Sequence, residues 1–224
     1  QHHVFLSSAN SINIGRLIPQ VVYYFYAYMT LVNEKKIRLN EAVNFTIPSG
    51  NFGNCLAGVI AKKMGLPIQK FIVASNKNNI LTDFFRTGKY DARREFYKTN
   101  APAMDILVSS NLERLVYMVC EDSQKVNSYM EQLNQNGVYE ISSDLLEKMQ
   151  SLFKAGWLDE QGVLNTIQTC FEETGYLLDT HTAIGYGVYK EYQKAFRDQT
   201  KTIILATASP YKFADSVYKA LTDQ

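Results

Sequence analysis

Apolar and polar positions alternate between two periods along this chain. Residues 43–47 are a short β-branched run that reads as a buried strand, and residues 56–64 repeat apolar side chains at helical spacing. Residues 69–74 read as a second buried strand, and 82–87 as a short helix closed by Gly88. Strand, helix and strand in this order form a βαβ unit, whose right-handed crossover makes the two strands parallel. Ahead of it, apolar residues 4–6 and a polar, cap-rich segment at 7–13 lead into a long helix over 14–33, with Pro19 near its start. Tyr23, Tyr24, Phe25, Tyr26 and Tyr28 surround that helix with aromatic groups. Burial on every side is expected, in the core or at the interface of a homodimer. From 111 to about 175 the pattern predicts a helical insertion with polar faces. Asn111, Asp122, Ser142 and Asp159 are its expected N-caps, and Gly137, Gly156 and Gly175 its stops. A helix over 184–192, a strand over 202–206 and an amphipathic helix through Leu221 complete the pattern.

Composition narrows the function classes. With 46% apolar residues in 224, the chain can build a substantial core. A net charge of +1 gives no reason to expect nucleic acid or an anionic membrane surface as partner. No apolar run reaches membrane-spanning length. Cys55, Cys120 and Cys170 are widely spaced and include no Cys-x-x-Cys pair, so neither a disulfide framework nor a metal site is expected. A reducing, cytoplasmic setting fits that usage. The opening Gln1-His2-His3 runs directly into apolar residues without an initiating Met, as expected of a chain cut from something longer.

The candidate chemistry lies between the first strand and its helix, in Pro48-Ser49-Gly50-Asn51-Phe52-Gly53-Asn54. A strand-to-helix turn of this kind aims backbone N–H groups and the positive end of a helix dipole at one point, which suits a phosphate. Gly50 and Gly53 let the backbone approach an anion, while Ser49, Asn51 and Asn54 add neutral donors. No Gly-Lys-Ser/Thr ending follows, which points away from nucleotide triphosphates and towards a small phosphorylated cofactor. Parallel sheets bind ligands beyond the carboxyl ends of their strands, so the loops at 49–54, 75–79 and 207–209 are expected to line one crevice. Arg86, Arg93, Arg94 and Arg114 could each reach a phosphate but read more simply as solvated. His181 reads first as a capping or core residue.

Five motifs then carry a resemblance: Asn10-Ser11-Ile12-Asn13, Ile47-Pro48-Ser49-Gly50-Asn51-Phe52-Gly53-Asn54, Ala103-Met104-Asp105-Ile106, His181-Thr182-Ala183 and Thr207-Ala208-Ser209-Pro210-Tyr211-Lys212-Phe213. Their order and spacing resemble the longer microbial and fungal branch of threonine synthase. The resemblance runs along essentially the whole chain. It implies an α/β fold, the C-terminal part of the large domain of a fold-type II pyridoxal-phosphate enzyme, with a mainly parallel sheet flanked by helices. It also implies conversion of O-phospho-L-homoserine and water to L-threonine and phosphate. By this resemblance Gly50, Asn51, Phe52, Gly53 and Asn54, with Ser49, hold the cofactor phosphate, and Thr207 faces the pyridine nitrogen. Asn13, Asp105, Asn111 and His181 are the candidates for substrate contact. Ser209 departs from the pattern, since relatives often carry His there.

In this family the Schiff-base lysine and the loop gripping the substrate carboxylate precede the Asn10 segment, and neither motif occurs in this chain. Phe153-Lys154 is only a superficial match, with Ala155-Gly156 after it. The expectation is a chain that carries the phosphate cup, has no catalytic residue of its own, needs the upstream part of the same protein and is inactive alone. Two rivals stay open at this level: another fold-type II lyase such as a serine or threonine dehydratase, and a non-catalytic phosphate-binding module.

Overall fold

The computed structural model describes residues 10–222, so the apolar run at 4–6 and the polar residues 7–9 lie outside the described residues. In chain order the elements are α1 (Ile14–Asn33), β1 (Val43–Pro48), α2 (Gly53–Lys63), β2 (Ile68–Ser75), α3 (Ile80–Thr87), β3 (Lys89–Asp91), α4 (Leu112–Cys120) and α5 (Ser123–Asn136). They continue with β4 (Val138–Glu140), α6 (Ser143–Leu152), β5 (Phe153–Trp157), α7 (Glu160–Thr174), α8 (Thr180–Phe196), β6 (Thr202–Ile204) and α9 (Ala214–Thr222). No described helix is long and apolar enough to cross a membrane.

The main sheet has the order β5-β2-β1-β6 and every pairing in it is parallel. β1 is an interior strand and all six of its residues are buried, the polar Asn44 and Thr46 as fully as Val43, Phe45 and Ile47. Its register aligns Thr46 with Ile72 of β2 on one side and with Ile204 of β6 on the other. One layer of helices packs α1 against α2, with Tyr24 lying 4.7 Å from Phe45 between ring centroids. The other layer is α8, with α7 packed against it and α9 packed against α7. Asp122 and Asp159 cap α5 and α7 as expected, and Gly88, Gly137 and Gly175 close their helices at φ of 80°, 71° and 73°.

Three expectations need correction. Residues 153–157 are not part of a helical insertion: they form β5, and Gly156 is a strand residue rather than a helix stop. Five residues containing Lys and Gly show no period of their own, and the strand is decided by its partner. Phe153 stacks 5.4 Å from Phe71 of β2, and the Gly156 carbonyl accepts a 2.8 Å hydrogen bond from Thr82. β4, pairing antiparallel with β3, is a second strand inside the same stretch. Nor does this chain by itself enclose α1 on every side. Leu17, Val21, Tyr24 and Tyr28 face the core, whereas Val22 is 63% and Tyr26 73% exposed. Aromatic side chains spaced all round a helix cannot all reach the one layer on which it packs. Finally, Ser142 and Asn111 precede helices but make no side-chain cap.

Candidate functional site

β1 ends at Pro48 and α2 begins at Gly53, so the glycine loop crosses the carboxyl end of the sheet beside β6. Its acceptors are pinned from behind. Gly50 O accepts from Ser109 Oγ (2.8 Å), Asn51 O accepts from Asn111 N (3.1 Å) and Nδ2 (3.0 Å), and Asn54 O accepts from Tyr24 Oη (2.6 Å). Burial pushes the phenol of Tyr24 well above its ordinary range, so it stays a donor. With the carbonyls held back, the N–H groups of Gly50, Asn51, Phe52, Gly53 and Asn54 find no acceptor among the described residues. Consecutive unpaired amides at a helix N-terminus make an anion cradle.

Phe52 gives the loop its shape. Its backbone is left-handed at φ 65°, costly for a residue with a Cβ, while its ring is fully buried. The two glycines give the loop its closeness. A Cβ on Gly50 would stand 3.0 Å from the Met104 Cα, and one on Gly53 only 2.4 Å from the Ser11 Oγ.

The cradle opens into a cavity of about 450 Å³. Ser49 and residues 50–54, with Thr207 and His181, line it as expected. Ser49 and Asn54 are not free donors, however: Ser49 Oγ donates to Asn54 Oδ1 (2.7 Å), and Asn54 Nδ2 donates to Pro48 O (2.8 Å). They brace the loop.

Asn13, Asp105 and Asn111 do not line the cavity. Asn13 caps α1 by accepting from Gly15 N (2.9 Å). Asn111 is fully buried, and besides holding Asn51 it donates to Ser11 Oγ (3.1 Å). Asp105 accepts from Asn76 (2.7 Å), Asn78 (3.0 Å) and Thr99 N (2.9 Å). The 75–79 loop therefore supports the 99–105 segment instead of lining the crevice, and two strand-end loops meet there rather than three. The imidazole of His181 accepts the Ala103 N–H at Nε2 (3.2 Å) and packs 4.7 Å from the Phe213 ring. With that lone pair engaged, the ring is a wall rather than a free base.

Arg16 and Gln20 line the cavity and escaped notice in the sequence, because single polar residues on exposed helical faces carry no pattern; Lys212, named there only within the 207–213 motif, lines it too. No carboxylate joins them among the described lining residues. Two cations, a cradle of amides and no anion make a site of one electrostatic sign.

Asp179 also went unrecognised. It lies outside the cavity, only 3% exposed, and caps α8 by accepting from His181 N (2.8 Å) and Thr182 N (3.0 Å). Burial pushes its carboxyl up, but the hydrogen bonds from His181 and Thr182 outweigh this, and the net shift is downward. A lowered folded value adds stability above the ordinary carboxyl pKa of about 3.9 that is lost as pH falls through the folded value. The stability gap between the parent and Asp179→Asn, measured by urea unfolding, is accordingly expected to be full at pH 7 and to shrink below about pH 3.9. A gap constant down to pH 2 would contradict it.

Comparison with known proteins gives a consistent result. Residues 182–224 match the family model described as "Threonine synthase, C-terminal". The chain is 44% identical to "Threonine synthase-like 1" of Homo sapiens over 99% of its own length and 30% of that protein's. It is 36% identical to threonine synthase of Saccharomyces cerevisiae, over 99% of the chain and 45% of the relative. The crystal structure of PLP-bound threonine synthase from Brucella melitensis superposes with a TM-score of 0.89 at 41% identity, covering 96% of this chain and 45% of that one. The chain thus spans less than half the length of these relatives.

Proposed function

This chain belongs to the threonine-synthase family, with its α/β fold of pyridoxal-phosphate fold type II, and from that premise we propose that its cavity is the phosphate-holding half of a pyridoxal-phosphate site. The activity proposed for the protein as a whole is formation of L-threonine and phosphate from O-phospho-L-homoserine and water. One observation carries the reading: the consecutive amides of residues 50–54 have no acceptor among the described residues, in a loop whose two glycines leave no room for a Cβ.

The residues present fit the cofactor. The cradle takes a phosphate dianion through backbone donors and the dipole of α2, at no cost in reorganisation. Pyridoxal phosphate, when bound, supplies an electron sink for the substrate carbons. Thr207 follows β6 and lines the cavity, where it would offer a neutral hydroxyl to the ring nitrogen, a weaker partner for a positive ring than a carboxylate. Arg16 and Lys212 raise the positive potential of the cavity, which favours entry of an anionic substrate. His181 and Phe213, their rings tilted by 50° to one another, line one side of the cavity, and Met104 lines it beside Gly50. Lys154, the superficial sequence match to the family's lysine motif, sits in β5 and does not reach this cavity.

The test is an absorbance titration of the chain with pyridoxal phosphate and with pyridoxal. Charge-assisted hydrogen bonds to the phosphate are each worth about 1.5–3 kcal/mol, so pyridoxal should bind at least about tenfold more weakly. Inorganic phosphate should compete with the cofactor. Equal affinities for the two aldehydes, with no competition, would refute the proposal.

A further inference from the structure

We propose that Asp179 is a positioning residue that holds two walls of the cavity against the cradle, Thr207 through Thr182 and Ala103 through His181. The inference rests on reading the cavity as a cofactor-phosphate site, and it adds residues that touch neither phosphate nor ring.

The first arm begins at the end of the sheet. Leu205 N makes the last ladder bond, to Thr46 O (3.0 Å), and the turn at Pro210–Phe213 begins with Lys212 N bonding to Ser209 O (3.1 Å). Among the described residues, the one hydrogen bond made by the backbone of residues 206–208 is Thr207 N donating to Thr182 Oγ1 (3.3 Å). Thr182 Oγ1 in turn donates its proton to Asp179 Oδ2. A hydroxyl whose proton is committed to a buried carboxylate presents its lone pairs elsewhere, here to the Thr207 amide. Asp179 thus fixes the polarity of the contact that places Thr207.

The second arm crosses to the opposite wall. His181 Nδ1 stands 3.5 Å from Asp179 Oδ1 and 3.3 Å from Thr180 Oγ1. Because Nε2 accepts the Ala103 N–H, the neutral ring carries its proton on Nδ1, the tautomer that the carboxylate favours. Ala103 adjoins Met104, whose Cα marks the closest approach to Gly50. One carboxylate outside the cavity therefore sets both walls relative to the cradle.

Side-chain changes can separate this role from plain helix capping. Asn at 179 keeps an Oδ1 for the amides of His181 and Thr182, so the cap survives, but its Nδ2 cannot accept the Thr182 proton. The experiment measures amide hydrogen exchange at Thr207 and Ala103 in the ligand-free chain, alongside titrations with pyridoxal phosphate and with inorganic phosphate. In Thr182→Val, exchange at Thr207 should speed up about tenfold while Ala103 is unchanged; in Asp179→Asn, where both arms lose the carboxylate, exchange should speed up at Thr207 and at Ala103. Pyridoxal phosphate affinity should fall about tenfold, and inorganic phosphate, which needs only the cradle, should hold within about twofold. Thr182→Ser should restore both. His181→Phe, which keeps the packing on Phe213, should speed exchange at Ala103 and leave Thr207 alone.

Unchanged exchange at Thr207 in Thr182→Val, or equal weakening of both ligands, would overturn the proposal. If the parent chain binds neither ligand, the cofactor reading fails, and the exchange rates still decide whether Asp179 positions the walls.

Discussion

Phe52→Ala is expected to destabilise the chain by about 3–5 kcal/mol, the cost of emptying a fully buried aromatic site. The ring is 0% exposed and lies 5.8 Å from Phe85 and 6.2 Å from Phe153, so it joins the glycine loop to α3 and to the edge strand β5. It is also held at φ 65°, and alanine, which still has a Cβ, recovers none of that backbone strain. Phe52→Leu keeps much of the volume and should lose less. Phe52→Gly loses the ring but releases the strain, so it should fall no lower than the alanine variant despite its smaller side chain. Urea unfolding of the three variants checks the order. A loss below about 1 kcal/mol in Phe52→Ala would show that the loop is not anchored through this ring.

Gly53→Ala is expected to cut phosphate affinity more than tenfold while costing about 1–3 kcal/mol of stability, the range for a forced overlap. The added Cβ would stand 2.4 Å from Ser11 Oγ and 2.6 Å from Ser11 Cβ. Either Ser11 moves, breaking its bond from Asn111, or the first turn of α2 moves and carries the Gly53 amide out of the cradle. Removing the obstacle separates the two. In Ser11→Gly/Gly53→Ala the clash is gone, and phosphate affinity should return to within about threefold of Ser11→Gly alone. Titration calorimetry with inorganic phosphate reads this directly. Failure of the double variant to recover would mean that Gly53 is required for a reason other than the room it leaves beside Ser11.

The parallel βαβ unit, the glycine loop at its carboxyl end and the long first helix were all legible in the linear pattern. They depend on local terms: β-branched runs, helical periodicity, and Gly or Pro at the turns. The same holds for the N-caps at Asp122 and Asp159, where a side chain reaches an amide two or three residues on. What escaped were features created by distant partners. β5 is a strand because Phe71 and Thr82 receive it. Asp105 and Asn111, expected near the substrate, are bound instead to Asn76, Asn78 and Asn51, and no spacing rule signals such a bond.

By itself, then, the sequence carried the family resemblance, the parallel pair β1 and β2 with its crossover helix, and the glycine loop at its carboxyl end, because those reside in short runs of residue type. Only the tertiary structure decided which donors remain free. Ser49 and Asn54 have the chemistry of phosphate ligands but spend it on each other and on Pro48, while the backbone amides of the loop, expected from the sequence to face an anion, are left open among the described residues. Tertiary packing likewise brought Arg16, Lys212 and the Asp179 network to one cavity, since each lies on a different element and only folding makes them neighbours.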